Sequence, residues 1–117
     1  MLKKILIILI ISISLTCYGK TIDRSYLQNR YGTFYEINQK NPYTGEATFY
    51  YENGKLELQE NYKDGKLDGD VTYFYKDGKI KFKEHFKNGE RNGESITYYK
   101  NGEIKSKIKY KNGKEVD

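Results

Sequence analysis

The chain has 117 residues, enough for one small domain, and Cys17 is its single cysteine. A single cysteine excludes an intrachain disulfide and any metal site built on several cysteine ligands. With 21 basic and 16 acidic residues the net charge is +5, a mild excess that permits anionic partners without requiring them.

The N-terminal segment, residues 1–19, has the pattern of a secretory signal peptide. Two lysines precede Ile5–Leu15, which is apolar apart from two serines. This run is shorter than the roughly 20 residues that a membrane-spanning helix needs, and it has the length of a signal-peptide hydrophobic region. We therefore expect an extracytoplasmic protein that is secreted, periplasmic or anchored to the cell envelope.

Three outcomes at the end of this segment stay open. Cleavage after Gly19 would leave a soluble chain from Lys20, whose net charge falls to +3 because two lysines are lost. Alternatively, Ser14-Leu15-Thr16-Cys17 resembles a lipobox with a departure at its first and third residues, and Cys17 would then carry a lipid. An uncleaved anchor is the third outcome.

Residues 20–42 are predicted to form an N-terminal cap and a first strand. Asp23–Arg30 fits a cap with one helical turn, and the aromatic residues of Tyr31–Ile37 favour a strand. A turn through Asn38–Pro42 follows. Repeat arrays need such distinct end units to cover their exposed edges.

Residues 43–114 consist of three repeats of 24 residues that align without a gap, followed by a tail at 115–117. The repeats are Tyr43–Lys66, Leu67–Glu90 and Arg91–Lys114. Such self-similarity is the signature of a repeat architecture. Glycine recurs at three positions of each repeat, which accounts for nine of the eleven glycines: Gly45, Gly54, Gly65, Gly69, Gly78, Gly89, Gly93, Gly102 and Gly113.

Most of these glycines follow Asn or Asp, which predicts hairpin turns. A type I′ turn needs φ > 0 at both central residues, and Asn-Gly or Asp-Gly adopts it readily. The flanking segments are rich in Tyr, Phe, Ile, Leu and Thr, so each repeat is expected to form two strands, in the first about Glu46–Glu52 and Lys55–Lys63. The predicted fold is all-β, an elongated single-layer antiparallel meander of β-hairpin repeats.

A two-residue turn at Asn53-Gly54 would fix the pairing of the first hairpin, and opposed residues share a face of the sheet. The same rule applied to each repeat predicts an apolar, aromatic face with these opposed pairs: Tyr51 with Leu56, Phe49 with Leu58, Ala47 with Glu60, Tyr75 with Ile80, Tyr73 with Phe82, Val71 with Glu84, and Tyr99 with Ile104. Two-residue turns between repeats keep this parity. We expect Phe49, Tyr73, Phe82 and Phe86 on this face to supply stability.

The opposite face is expected to be basic with a row of aromatic side chains. Lysines interleaved with aromatic rings suit an anionic polymer or lipid headgroups. The alternative is a solvated outer face whose lysines serve solubility and protect sheet edges. The candidate binding face consists of Tyr50, Phe74, Tyr98, Lys79, Lys81, Lys83, Lys105 and Lys107.

Three stretches and a lead-in segment define the repeat unit: Tyr50-Tyr51-Glu52-Asn53-Gly54-Lys55-Leu56, Tyr62-Lys63-Asp64-Gly65-Lys66-Leu67-Asp68-Gly69, Tyr98-Tyr99-Lys100-Asn101-Gly102-Glu103-Ile104 and Pro42-Tyr43-Thr44-Gly45. They resemble the MORN-repeat family, and more closely its bacterial variant often labelled YwqK-type antitoxin. The resemblance covers about Leu27 to Gly113. It implies an elongated antiparallel sheet that mediates contacts with proteins or membranes.

Titratable residues in the repeats fit structural roles better than catalytic ones. His85 is the only histidine, and the adjacent carboxylate is expected on the other face, so a partner for acid–base catalysis is missing. Glu46, Asp70 and Glu94 recur at one repeat position, about 9.6 Å apart across two strand spacings, with no cleft expected around them. Asp64–Gly69 lacks the ligand spacing of an EF-hand calcium loop. We predict no enzyme activity, no cofactor and no metal site.

These features predict non-enzymatic protein binding or scaffolding outside the cytoplasm, with a protein as the unknown partner. One alternative is association with a membrane surface or anionic polymer through the lysine–aromatic face, whereas export disfavours nucleic acid. Another alternative is an antitoxin or immunity-type role, although a signal peptide fits poorly with neutralising a cytosolic toxin. The salt dependence of binding separates the first two functions.

Overall fold

The computed structural model describes residues 19–117, so the predicted signal segment with Cys17 lies outside the described residues. A 3-10 turn, Arg24–Tyr26, is the one helical element of this part of the chain. None of its helices is long and apolar enough to cross a membrane. The strands in chain order are β1 (Thr21–Asp23), β2 (Leu27–Arg30), β3 (Thr33–Glu36), β4 (Gly45–Tyr50), β5 (Leu56–Lys63), β6 (Lys66–Leu67), β7 (Gly69–Phe74), β8 (Ile80–Lys87), β9 (Glu90–Arg91), β10 (Gly93–Tyr98), β11 (Ile104–Lys111) and β12 (Lys114–Val116).

The main sheet is a meander in the order β1-β4-β5-β7-β8-β10-β11-β12, with β6 and β9 pairing with β5 and β8. It measures 58 × 32 × 30 Å together with the cap, which confirms the predicted elongated all-β array of hairpins. The parallel pairing of β1 with β4 departs from the expected antiparallel pattern. These two strands are joined by a crossover through the separate β2–β3 hairpin rather than by a tight turn.

The hairpin inside each repeat has a three-residue loop, so the predicted two-residue turn is wrong here. In the first repeat the Tyr51 N–H donates to the Lys55 carbonyl at 2.8 Å, and the Gly54 N–H donates to the Tyr51 carbonyl at 2.9 Å. Gly54 has φ 84°, whereas Asn53 is not among the residues with positive φ. This is the geometry of a type I turn followed by one left-handed residue, a common three-residue hairpin loop.

The longer loop changes the pairing next to it and leaves the rest as predicted. Phe49 pairs with Leu58 as expected, but Leu56 lies opposite Tyr50 rather than Tyr51. A bulge at Glu57, opposite Phe49 and Tyr50, takes up the extra residue and restores the predicted register. The other two repeats show the same shift, with Phe74 opposite Ile80 and Tyr98 opposite Ile104.

The turns between repeats are the two-residue turns that the Asp-Gly and Asn-Gly pairs predict. Asp64 and Gly65 have φ 50° and 79°, the left-handed pair that a type I′ turn requires. Asn88-Gly89 and Asn112-Gly113 repeat this conformation. All nine glycines of the repeats have positive φ, between 79° and 145°.

Two sets of hydrogen bonds stabilise the array in addition to strand pairing, one within each repeat and one between successive repeats. At the turns, the N–H groups of Gly65, Gly89 and Gly113 donate to the carbonyl of the first residue of the same repeat at 2.7–2.8 Å. At the opposite ends of the strands, the hydroxyl groups of Tyr51 and Tyr75 donate to a backbone carbonyl of the following repeat. Each repeat is therefore held at two points in addition to its strand pairing.

The core lies at the N-terminal end, where the β2–β3 hairpin packs on the sheet. The buried residues of the cluster are Leu27, Tyr43, Ala47 and Tyr62. The ring of Phe34, from β3, lies 5.2 Å from that of Tyr62, centroid to centroid. The segment before the repeats, called the cap, thus contains β1 and β2 in addition to the helical turn and β3.

Candidate binding surfaces

Strand pairing divides the side chains of the main sheet between two faces, because opposed residues point to the same side. The first, called the apolar face, carries Ala47, Phe49, Leu58, Glu60, Val71, Tyr73, Phe82 and Glu84. The second, called the lysine face, carries Tyr50, Asp70, Phe74, Lys83, His85, Glu94, Tyr98 and Lys107.

The bulges move three of the predicted binding-face lysines to the other side. Lys79 follows the three-residue loop and lies opposite Tyr75, whose N–H donates to the Lys79 carbonyl. The Lys81 ammonium lies 5.9 Å from the centre of the Tyr75 ring, and the Lys105 ammonium lies 5.9 Å from that of Tyr99. Both tyrosines are on the side of the apolar face, since they follow Tyr73 and Thr97 by two residues. The prediction that all eight candidate residues share one face is therefore wrong, because it assumed unbroken alternation.

The remaining members of the set share the lysine face as predicted. Tyr50, Phe74 and Tyr98 occupy one repeat position, and Lys83 and Lys107 lie on the neighbouring strands. Tyr50 is 52% exposed, whereas Phe74 and Tyr98 are half-buried.

Carboxylates stand among the lysines of this face and neutralise part of its charge. Asp70 lies 3.0 Å from His85 Nδ1 and 3.9 Å from Lys83 Nζ, and Glu94 lies 3.0 Å from Lys107 Nζ. The lysine face is therefore a surface of mixed charge rather than a continuous basic strip.

The contact between Asp70 and His85 was missed at the level of sequence, although the signal was present. The predicted register of the second hairpin, with Val71 opposite Glu84, also places Asp70 opposite His85, and the structure has this pair. Both side chains are about half exposed. They border a shallow depression of about 460 Å³ whose lining contains no serine, threonine or cysteine.

Two carboxylates are buried on the apolar face and are held by arginines. Glu60 and Glu84 are each 6% exposed. The Nε of Arg24 lies 2.6 Å from Glu60, and the Nε of Arg91 lies 2.7 Å from Glu84. These arginines also cover aromatic rings. The guanidinium carbon of Arg24 lies 5.1 Å from the centre of the Phe34 ring, and that of Arg91 lies 5.3 Å from the centre of the Tyr110 ring.

Beyond the reach of the cap, two aromatic side chains of the apolar face are open to solvent. Phe49 is 43% and Tyr73 38% exposed. Tyr73 packs against Phe82 with ring centroids 6.0 Å apart. These three residues are called the aromatic patch. The cap covers only the first part of the face, so Phe49 and Tyr73 are only partly buried, and their contribution to stability stays a prediction.

No group of three or more His, Cys, Asp or Glu side chains in residues 19–117 is arranged to hold a metal ion. The segment Asp64–Gly69, considered above as a calcium loop, contains the type I′ turn and the start of β7.

Comparison with known proteins gives one match. A family model described as MORN repeat variant matches residues 43–64, 67–88 and 91–112, which begin at the same residues as the three repeats. No curated protein and no solved structure matches the chain. Repeats of this kind form modules that take part in protein or membrane binding and are generally non-enzymatic.

Proposed function

The chain belongs to the MORN repeat variant family, and from this we propose that it is a non-enzymatic module that binds a protein partner outside the cytoplasm. The observation that carries the proposal is the aromatic patch, in which Phe49 and Tyr73 are exposed and Phe82, packed against Tyr73, is half-buried. Aromatic residues are enriched in protein interfaces, and exposed apolar patches with a polar surround are typical of interaction sites.

The charge distribution favours a protein over an anionic polymer or membrane surface. Two lysines of the lysine face are already paired with carboxylates, Lys83 with Asp70 and Lys107 with Glu94. A polyanion would have to compete with these carboxylates, whereas a protein surface can complement both signs of charge. The membrane- or polyanion-binding alternative therefore has less support, and no feature of the described residues favours an antitoxin role.

The location outside the cytoplasm rests on the N-terminal pattern of two lysines followed by Ile5–Leu15. A fusion of residues 1–30 to a reporter that is active only after export should be active. If Cys17 carries a lipid, Cys17→Ser should release the full chain from the membrane fraction.

Site-specific photo-crosslinking in the source cell tests the binding proposal. We expect a benzoylphenylalanine in place of Tyr73, in the full chain, to crosslink to one discrete protein. The same group in place of Lys87, an exposed residue at the end of β8, is the control and should give no such product. The proposal fails if neither position gives a protein adduct.

The proposal also fails if the chain instead binds anionic vesicles in a salt-sensitive manner that Lys83→Glu with Lys107→Glu, both on the lysine face, abolishes.

A further inference from the structure

Within residues 19–117, the outer side of β11 lacks the neighbouring strand that pairs with the equivalent strand of each earlier repeat. Gln59 and Lys83, at one repeat position, each pair with the first strand of the following repeat. Lys107 occupies the same position in the third repeat, and no strand of the described chain pairs with it on that side. β12 reaches only Lys109–Lys111.

The backbone groups of Lys107 point toward this open side. The carbonyl of Asn61 accepts a bond from Asp68 at 2.9 Å, and the carbonyl of His85 accepts one from Asn92 at 2.8 Å, so both point to the next unit. Backbone groups alternate sides along a strand, so the residue two positions earlier points the same way. By the equivalence of the repeats, the N–H and C=O of Lys107 are therefore available to a further strand.

A hydroxyl group at the same edge also lacks the partner that its equivalents have. Tyr51 and Tyr75 donate to the carbonyls of Phe74 and Tyr98 in the next repeat. The equivalent residue, Tyr99, has no such acceptor among residues 19–117, and its side chain is 49% exposed. The edge thus offers backbone groups and a side-chain donor in the arrangement that binds a strand elsewhere in the molecule.

The charge of β11 indicates what kind of strand fits. Its sequence places lysine at four alternate positions, Lys105, Lys107, Lys109 and Lys111, and among these only Lys107 has a carboxylate of the described residues within 4.0 Å. A second copy of β11 would oppose lysine to lysine, which is destabilising. The other end of the sheet is not a free acceptor either, because β1 covers β4 at Glu46–Thr48.

We propose that the edge of β11 receives an extended acidic segment of the protein partner, which adds to the sheet as one more antiparallel strand. Addition of a strand to a sheet edge is a general mode of peptide recognition. Acidic side chains of that segment would lie beside Lys107, and small or β-branched ones beside Ser106 and Ile108, because β12 already pairs with β11 from Lys109 onward. The proposal rests on the proposed protein-binding function and assigns it a second contact surface.

A matched pair of variants tests the role of the backbone. The probe is a synthetic peptide that alternates glutamate with threonine, and its control alternates lysine with threonine. Lys107→Gln removes the charge and keeps the N–H, whereas Lys107→Pro removes both. Proline is tolerated in an edge strand where the N–H faces outward. We expect Lys107→Pro to bind the acidic peptide about tenfold more weakly than Lys107→Gln, because one backbone hydrogen bond is lost and its acceptor is left unsatisfied.

The inference is overturned if the two variants bind the acidic peptide equally, or if the wild-type chain binds the lysine peptide as tightly. Should Lys107→Pro not fold, amide exchange of the wild-type chain decides. Addition of the acidic peptide must slow exchange at Lys107, and an unchanged rate contradicts the inference. Failure here, with crosslinking from Tyr73 retained, would leave the proposed function standing.

Discussion

At the scale of single residues, Glu84 is a buried carboxylate on a face that sequence alone marks as apolar. Arg91, the first residue of the third repeat, makes this position tolerable through a contact of 2.7 Å. A charged group left buried without its partner loses its hydration without compensation. The pair is therefore expected to couple the second repeat to the third.

Removal of Arg91 should destabilise the fold through Glu84. We expect Arg91→Met to lower the free energy of unfolding by about 1–3 kcal/mol, and the double variant with Glu84→Gln to recover part of the loss. Lys87→Met, at an exposed position of β8, is the control and should stay within about 0.5 kcal/mol of wild type. Urea denaturation measures all three variants. A free energy of unfolding of Arg91→Met equal to that of wild type would show that the ion pair contributes nothing to stability.

The raised pKa of Tyr43 predicts that the free energy of unfolding falls at alkaline pH. Burial, followed by the charges of Glu36 and Glu46, raises the pKa of Tyr43 from 10.0 to about 12. The folded state thus favours the neutral phenol, whose contribution is fully present below pH 10 and is lost as the pH rises to about 12. Tyr43→Phe should therefore flatten the fall of unfolding free energy over this interval. Identical slopes for the two proteins would contradict the assignment.

At the scale of the element, the two kinds of turn in one repeat explain why register prediction succeeded only in part. Asp-Gly and Asn-Gly pairs between repeats form the type I′ turns that their residue types favour. Asn53-Gly54 has the same residue types, yet only Gly54 is left-handed. The three-residue loop at Asn53-Gly54 goes together with the bulge opposite Phe49, which is a property of the paired strands that the dipeptide does not encode.

Alanine substitutions at two glycines with similar φ distinguish the cost of a left-handed backbone from the cost of a steric clash. Gly78 has φ 94° and open space where the methyl group of an alanine would project, so Gly78→Ala should cost only about 1–2 kcal/mol for the left-handed backbone. A Cβ on Gly65, φ 79°, would lie no more than 3.0 Å from atoms of Thr33, Phe34 and Pro42. Gly65→Ala should therefore lower the melting temperature clearly more than Gly78→Ala. Equal shifts would show that the cap does not pack on this turn.

At the scale of the whole molecule, the repeat period predicted the architecture, and the contacts between distant segments escaped prediction. The spacing of glycine and the alternation of Phe49, Leu58 and their equivalents were sufficient for strand order and most of the register. The binding surfaces were harder, because bulges moved Lys81 to the other face and Arg24 reaches Glu60 from outside the repeats. Such contacts depend on how the cap folds onto the array, for which a single sequence carries no periodic signal.

The repeats form one continuous hydrogen-bonded sheet that ends, within the described chain, in an open strand edge suited to binding. Amide hydrogen exchange at a single repeat position tests it most directly, in the full chain without any peptide and with rates corrected for local sequence. We expect slow exchange at Gln59 and Lys83, whose amides face a neighbouring strand, and fast exchange at Lys107, whose amide faces solvent. Exchange at Lys107 as slow as at Lys83 would contradict it.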